Sequence, residues 1–263
     1  MVLLSRRQGA RRYSHQARKL TEVRLPAALD GPRLAPRAQG SARQLVVLLH
    51  GYGADGNDLI EIGRAWQPLL PSAAFVSPHA PEPCAEAPVG RQWFALTFRD
   101  PPERWRGVNA AAPGLERFLD AELARHRLGD EALALVGFSQ GTMMALHVGL
   151  RRRRAPAAIV GYSGLLVFPP GQGPDAVAAE ISARPPPPPP VLLLHGDQDD
   201  LIPAQALFQA AQGLAALGIP AEWHLFLWHR PRHRPRGTAA RRRVSKPTVR
   251  AAALRRIGDS AGE

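Results

Sequence analysis

The chain has one cysteine in 263 residues, Cys84, so no intrachain disulfide can form and metal sites built from several thiolates are excluded. It has no apolar stretch long enough to span a bilayer as a helix, and Met1 to Leu4 is too short to be the core of a signal peptide. Acidic residues are missing from Met1 to Lys19, where six basic residues stand, and only Asp259 and Glu263 oppose the eleven basic residues of Arg230 to Glu263. These two appendages carry +6 and +9 of the net charge of +12, which leaves −3 for the segment between them. The basicity belongs to the ends, and the body is mildly acidic. The C-terminal basic end also lacks the interleaved aromatics on which bases stack, and no specific nucleic-acid partner is expected. There is no internal repeat. The length suits a single α/β unit with a sizeable core.

The order of the apolar segments gives the fold class. Gln44 to Leu49 is a continuous apolar run of the kind buried on both faces of a parallel sheet. Further strands are expected at Ala73 to Ser77, Ala132 to Val136, Ala157 to Tyr162, Val191 to His195 and Ala221 to Leu227. Helices are expected at Asn57 to about Gln67, Gly114 to about Arg127, Thr142 to Leu150 and Pro203 to Leu217; the last has Pro at its start and Gly218 just past its end, where each is favoured. Six prolines, Pro185 to Pro190, form a stiff connector with no ladder donors. Strands alternating with helices imply a doubly wound, mostly parallel sheet.

One segment carries chemistry. Gly137-Phe138-Ser139-Gln140-Gly141 is a G-x-S-x-G set between an apolar strand and an apolar helix, which is the setting of a nucleophile elbow. Its glycines let backbone segments approach closely, so that Ser139 can sit on a strained turn. A serine hydroxyl is a poor nucleophile at neutral pH and needs a base, an orienting carboxylate and donors for the oxyanion. Candidates stand in chain order. The glycine-rich turn His50-Gly51-Tyr52-Gly53 ends the first strong strand, so the Tyr52 amide is one candidate oxyanion donor and the Gln140 amide, next to the nucleophile, is the other. His195-Gly196-Asp197-Gln198-Asp199 ends a late strand and offers two carboxylates. His50 and His195, beside glycines at strand ends, read as structural hydrogen-bonders, and Met143 and Met144 as helix packing.

Four ordered motifs resemble the phospholipase/carboxylesterase family: L-L-H-G-Y-G-A-D-G-N-D-L (Leu48 to Leu59), Q-W-F (Gln92 to Phe94), G-F-S-Q-G (Gly137 to Gly141) and H-G-D-Q-D-D-L-I-P (His195 to Pro203). The family comprises compact α/β-hydrolases, among them bacterial carboxylesterases and acyl-protein thioesterases, and the resemblance runs from about Leu25 to Phe226. It implies an α/β-hydrolase fold without a large lid and a serine hydrolase of carboxylic esters or thioesters working through an acyl-enzyme. It implies further that Ser139 is the nucleophile, Asp199 rather than Asp197 the triad carboxylate, Tyr52 and Gln140 the oxyanion donors, and Trp93 a residue near the acyl pocket. Neither cofactor nor metal is called for. The expected substrate is a small ester or thioester with a short to medium acyl chain, and the expected setting is cytoplasmic.

The third triad member departs from the pattern. The family places its histidine in a Gly-His-Gly turn shortly after the last strand, and no such turn comes after Glu222 to Phe226. A permitted set of codons for Trp228 to Gly237, read one base later, encodes Gly-Thr-Gly-His-Gly-Ile-Asp-Pro-Glu-Gly, which is the expected turn. Residues from about Leu227 onward therefore read as an out-of-frame tail, and GC-rich DNA read off-frame accounts for its Arg, Pro and Ala. The alternative function is a catalytically impaired hydrolase-fold protein, unless His229 or His233 serves as base. The expected organisation is a basic, disordered extension over 1–20, an α/β-hydrolase domain over 21–227 and a basic, disordered tail over 228–263. The Arg-rich start reads either as an organellar transit peptide or as translation from an upstream, non-native start codon.

Overall fold

The computed structural model describes residues 28–227, apart from 85, 86, 88, 98, 99, 101 and 184. The 1–20 extension and the 228–263 tail, with His229 and His233, lie outside the described residues.

In chain order the elements are β1 (Arg33–Leu34), β2 (Gln44–Leu49), α1 (Gly56–Trp66), β3 (Ala73–Val76), β4 (Glu82–Pro83), β5 (Arg91–Gln92), α2 (Glu103–His126), β6 (Leu133–Phe138), α3 (Gln140–Gly149), β7 (Ala158–Tyr162), α4 (Asp175–Ser182), β8 (Val191–Gly196), α5 (Gln205–Ala216) and β9 (Ala221–Phe226). Seven strands form one sheet in the order β1-β3-β2-β6-β7-β8-β9. Only β1 runs antiparallel to its neighbour. Strands β4 and β5 form a separate small hairpin. This is the α/β-hydrolase architecture expected from the sequence.

Strand β2 explains the layering. Leu45, Val47 and Leu49 join the larger core with residues of α2, α3, α4 and α5, whereas Val46 and Leu48 join the smaller core with residues of α1. A strand whose side chains alternate between two helical layers must be apolar throughout, which is why Gln44 to Leu49 shows no alternation. Helix α1 starts where Asp55 caps it: the carboxylate accepts the amides of Asn57 and Asp58, and the Asp58 carboxylate returns to the Asp55 amide.

Two elements differ from expectation. Helix α2 begins at Glu103, well before Gly114, and runs through Pro113. Pro113 and Asn109, whose carbonyl Pro113 leaves without its helical donor, are both exposed. Water can therefore satisfy that carbonyl, and the proline does not break the helix. Helix α4 lies in a stretch to which the sequence reading assigned no element; only Val177 and Ile181 of it are buried, too weak a pattern to read from sequence. The last proline of Pro185 to Pro190 still serves the sheet, because the Pro190 carbonyl accepts from the Ile159 amide.

A buried ion pair ties the sheet edge to α2. Glu122, 2% exposed, receives Arg33 of β1 through Nε and a terminal guanidinium nitrogen at 2.8–3.2 Å. A fork of this kind fits a carboxylate in two-point fashion, and a buried carboxylate needs it.

Candidate active site

All four motifs converge on the carboxyl ends of the parallel strands. Ser139 stands between β6 and α3 with φ 51° and ψ −113°, in the positive-φ region that a residue with a side chain occupies only under strain. Its amide donates to the Tyr162 carbonyl at the end of β7, and its carbonyl accepts the amides of Thr142 and Met143 to start α3. The hydroxyl makes no capping bond to the helix. It is thus held half-buried on a strained turn, with its oxygen uncommitted to the helix.

The two glycines of the motif are required by close approach. A Cβ on Gly137 would lie 2.4 Å from the Gly141 carbonyl oxygen, and one on Gly141 would lie 1.9 Å from that of Leu49. Neither gap admits a methyl group. The elbow is therefore pressed against the end of β2, and the loop after β2 abuts it: a methyl at Gly51 would sit 3.3 Å from the Ser139 Cβ. Tyr52 is the next residue of that loop and is half-buried. The Gln140 amide is in the first turn of α3, where backbone donors have no partner within the helix and the helix dipole favours negative charge.

Asp199 is set after β8. One carboxylate oxygen accepts the amides of Leu201 and Ile202, both at 3.0 Å, and the other lies 3.6 Å from His195 Nε2. The Asp197 amide donates to the Phe226 carbonyl and so extends the β8–β9 ladder. The geometry gives Asp199 a fixed turn, whereas the Asp197 backbone belongs to the sheet.

Both buried histidines at the strand ends are engaged with backbone. Ala80 N–H can only donate, so His50 Nε2 accepts it at 2.9 Å; the ring proton sits on Nδ1 and is donated to the Gly51 carbonyl at 2.8 Å. Burial pushes the His50 pKa down, which keeps it neutral. His195 Nε2 donates to the Ile202 carbonyl at 2.8 Å and thereby carries the proton. Among the described residues no imidazole hydrogen-bonds to Ser139.

Trp93, which the resemblance places near the acyl pocket, is 1% exposed and packed into the core. Its indole N–H donates to the His50 carbonyl at 2.9 Å, and its ring lies 5.8 Å from the His50 ring. The sequence reading missed the Gln140 side chain, which is fully buried and bonded to the backbone of Trp93 and Phe94. Its partners are backbone atoms of residues 93 and 94, so no signal in the sequence marks it.

A strained serine between strand and helix, on a mostly parallel sheet with a glycine-rich turn against it, defines an α/β-hydrolase. The chain belongs to the phospholipase/carboxylesterase family, which it matches over residues 36–234. Esterase YpfH of Escherichia coli is 28% identical over 177 residues, covering 67% of this chain and 71% of the relative. Acyl-protein thioesterase 1 of Schizosaccharomyces pombe is 32% identical over 126 residues, 46% of this chain and 55% of that protein. Among solved structures, esterase PE8 superposes with a TM-score of 0.74 at 39% identity, covering 88% of this chain and 99% of the other. The protein is accordingly a hydrolase of the carboxylesterase and acyl-thioesterase type.

Proposed function

We propose that the protein cleaves carboxylic esters or thioesters by a serine mechanism through an acyl-enzyme intermediate. The observation that carries this reading is the Ser139 backbone, strained at φ 51° and leaving the hydroxyl free of the helix it caps. Ser139 Oγ attacks the substrate carbonyl carbon. The Tyr52 and Gln140 amides donate to the oxyanion that forms, where preorganised donors are worth most. Collapse expels the alcohol or thiol and leaves the acyl group on Ser139, and water then releases the acid. Asp199 orients the base that moves the proton, a role left to His229 or His233 in the chain as written. Trp93 stands behind the oxyanion loop. A small recess between α3, β7, β8 and α5 is lined by Thr142, Leu146, Leu193 and His195 among others. Among the described residues only the short helix α4 stands between β7 and β8, which leaves no room for a large lid and favours short to medium acyl chains.

The test is labelling by a fluorophosphonate probe read by intact-protein mass spectrometry. Where a base is in place, one adduct per chain is expected, absent in Ser139→Ala; an adduct that survives the substitution refutes the assignment. Activity confined to emulsified long-chain triglyceride would refute the substrate reading.

A second reading is favoured by the engagement of His50 and His195 with backbone. In it the chain as written lacks the triad histidine, and a one-base shift near Leu227 is the cause. Restoring the Gly-His-Gly frame in the gene and comparing hydrolysis of a short-chain nitrophenyl ester separates the two readings.

A further inference from the structure

The β2–β6 ladder ends before the site begins. Its last rung pairs Leu49 with Gly137, so His50 to Tyr52 on one side and Phe138 to Gln140 on the other lie beyond it. The two oxyanion donors of the proposed mechanism sit on these two overhangs. Donors of this kind act only when each stands about 2.7–3.1 Å from the place the oxyanion will occupy. Something other than that ladder must fix the distance between them.

We infer that the Gln140 side chain and the Trp93 indole are positioning residues that lock the Tyr52 and Gln140 amides at a fixed separation. Gln140 Oε1 accepts the Trp93 amide at 2.8 Å, and Nε2 donates to the Phe94 carbonyl at 2.8 Å. Trp93 in turn donates from its indole to the His50 carbonyl at 2.9 Å. His50 donates from Nδ1 to the Gly51 carbonyl at 2.8 Å and is itself held by the Ala80 amide at 2.9 Å. A continuous hydrogen-bonded chain therefore runs from the first residue of α3, through the segment after β5, to the residues that precede Tyr52. Gln140, Trp93 and His50 are each no more than 1% exposed. Buried bonds of this kind leave no water to take over when one is removed, which makes the chain stiff and each link expensive to lose. Residue 140 thus has two tasks: its amide faces the reaction, and its side chain sets where the opposite donor stands.

The inference rests on the serine-hydrolase reading, and the experiment separates the two. Gln140→Met keeps the length of the side chain and removes both bonds; Trp93→Phe keeps most of the ring and removes the indole donor. Val148→Ala, fully buried on the same helix but outside the chain of bonds, controls for plain destabilisation. Two quantities are measured on the full chain. One is the second-order rate of Ser139 modification by a fluorophosphonate. The other is hydrogen exchange at the Gly53 and Ala54 amides, which bond to the Arg91 and Gly51 carbonyls and report opening of the oxyanion loop. Gln140→Met should slow labelling about a hundredfold and Trp93→Phe about tenfold, the scale expected when catalytic groups shift by an ångström or less. Both should speed loop exchange, whereas Val148→Ala should change neither at an equal loss of melting temperature. Gln140→Glu, which keeps an acceptor for Trp93, should recover part of the labelling rate. Parent-like loop exchange in Gln140→Met, or a matching slowdown in Val148→Ala, would overturn the inference. If the parent chain takes no label at Ser139, the chain as written lacks a working base, and loop exchange alone decides whether the bonds couple the two overhangs.

Discussion

The proposed nucleophile side of the site and the proposed acid–base side are built on different principles. Ser139 sits among backbone segments too close for a methyl group, and its amide, carbonyl and successor side chain are all hydrogen-bonded within the fold. Asp199 sits on a turn held by two amides and a neighbouring histidine, with Asp200 and Leu201 beside it exposed. The first arrangement resists change because every shift meets a steric wall. The second depends on a few hydrogen bonds. Strain at a nucleophile has to be enforced by surroundings that leave no alternative, whereas a triad carboxylate needs only an oriented charge.

The largest effect expected from testing this contrast concerns the chain after β9. Losing a triad histidine lowers turnover by roughly a factor of 10⁶ in a serine hydrolase. A gene with the Gly-His-Gly frame restored should therefore hydrolyse a short-chain nitrophenyl ester about that much faster than the chain as written. Equal rates would mean that the acid–base side is complete as it stands, through His229 or His233.

Next in size is the choice of carboxylate. In a frame-restored protein Asp199→Asn keeps an oxygen for the Leu201 and Ile202 amides, so the turn survives while the charge is lost. Turnover should fall by about 10⁴, as when a triad carboxylate is neutralised. Asp197→Asn should change turnover less than tenfold, since the Asp197 backbone serves the sheet. The comparison is made by kcat with both proteins melting within a few degrees of the parent, and the reverse ranking would move the triad to Asp197.

The sheet was legible because parallel strands buried on both faces are apolar runs, and β2, β6, β7 and β8 all are. The elbow was legible because its two glycines answer to steric walls that admit no other residue. Helix α2 was half hidden, since Pro113 looks like a stop signal unless its face is known to be wet. Trp93 is more instructive. A tryptophan after a strand end carries the same letters whether it lines a pocket or braces a loop, and only its 1% exposure and its bond to the His50 carbonyl decide. The Gln140 side chain was illegible for the same reason: its partners are backbone atoms of residues 93 and 94, which no pattern in sequence marks.

The smallest effect expected lies at the far end of the nucleophile helix. His147 of α3 is 4% exposed, and its Nδ1 has no hydrogen-bond partner. Its ring meets Trp105 of α2 edge-on at 5.6 Å, and Arg151, just past the end of α3 and paired with Glu180 of α4, stands one turn on. Burial first and the Arg151 charge second push its pKa down to about 3. In the unfolded chain the same group titrates near 6.5. Between these values the unfolded state binds the proton and the folded state does not, so stability is full above about pH 6.5 and falls as pH drops toward 3. The slope from this one group approaches about 1.4 kcal/mol per pH unit below pH 6. His50, also pushed down by burial, contributes with the same sign and stays in the variant. His147→Leu should therefore flatten, without abolishing, the loss of stability between pH 6.5 and 5, a window above the range in which ordinary carboxylates titrate. Urea midpoints of parent and variant at those two pH values measure it, and parallel slopes would show that the α3 terminus takes up protons without unfolding.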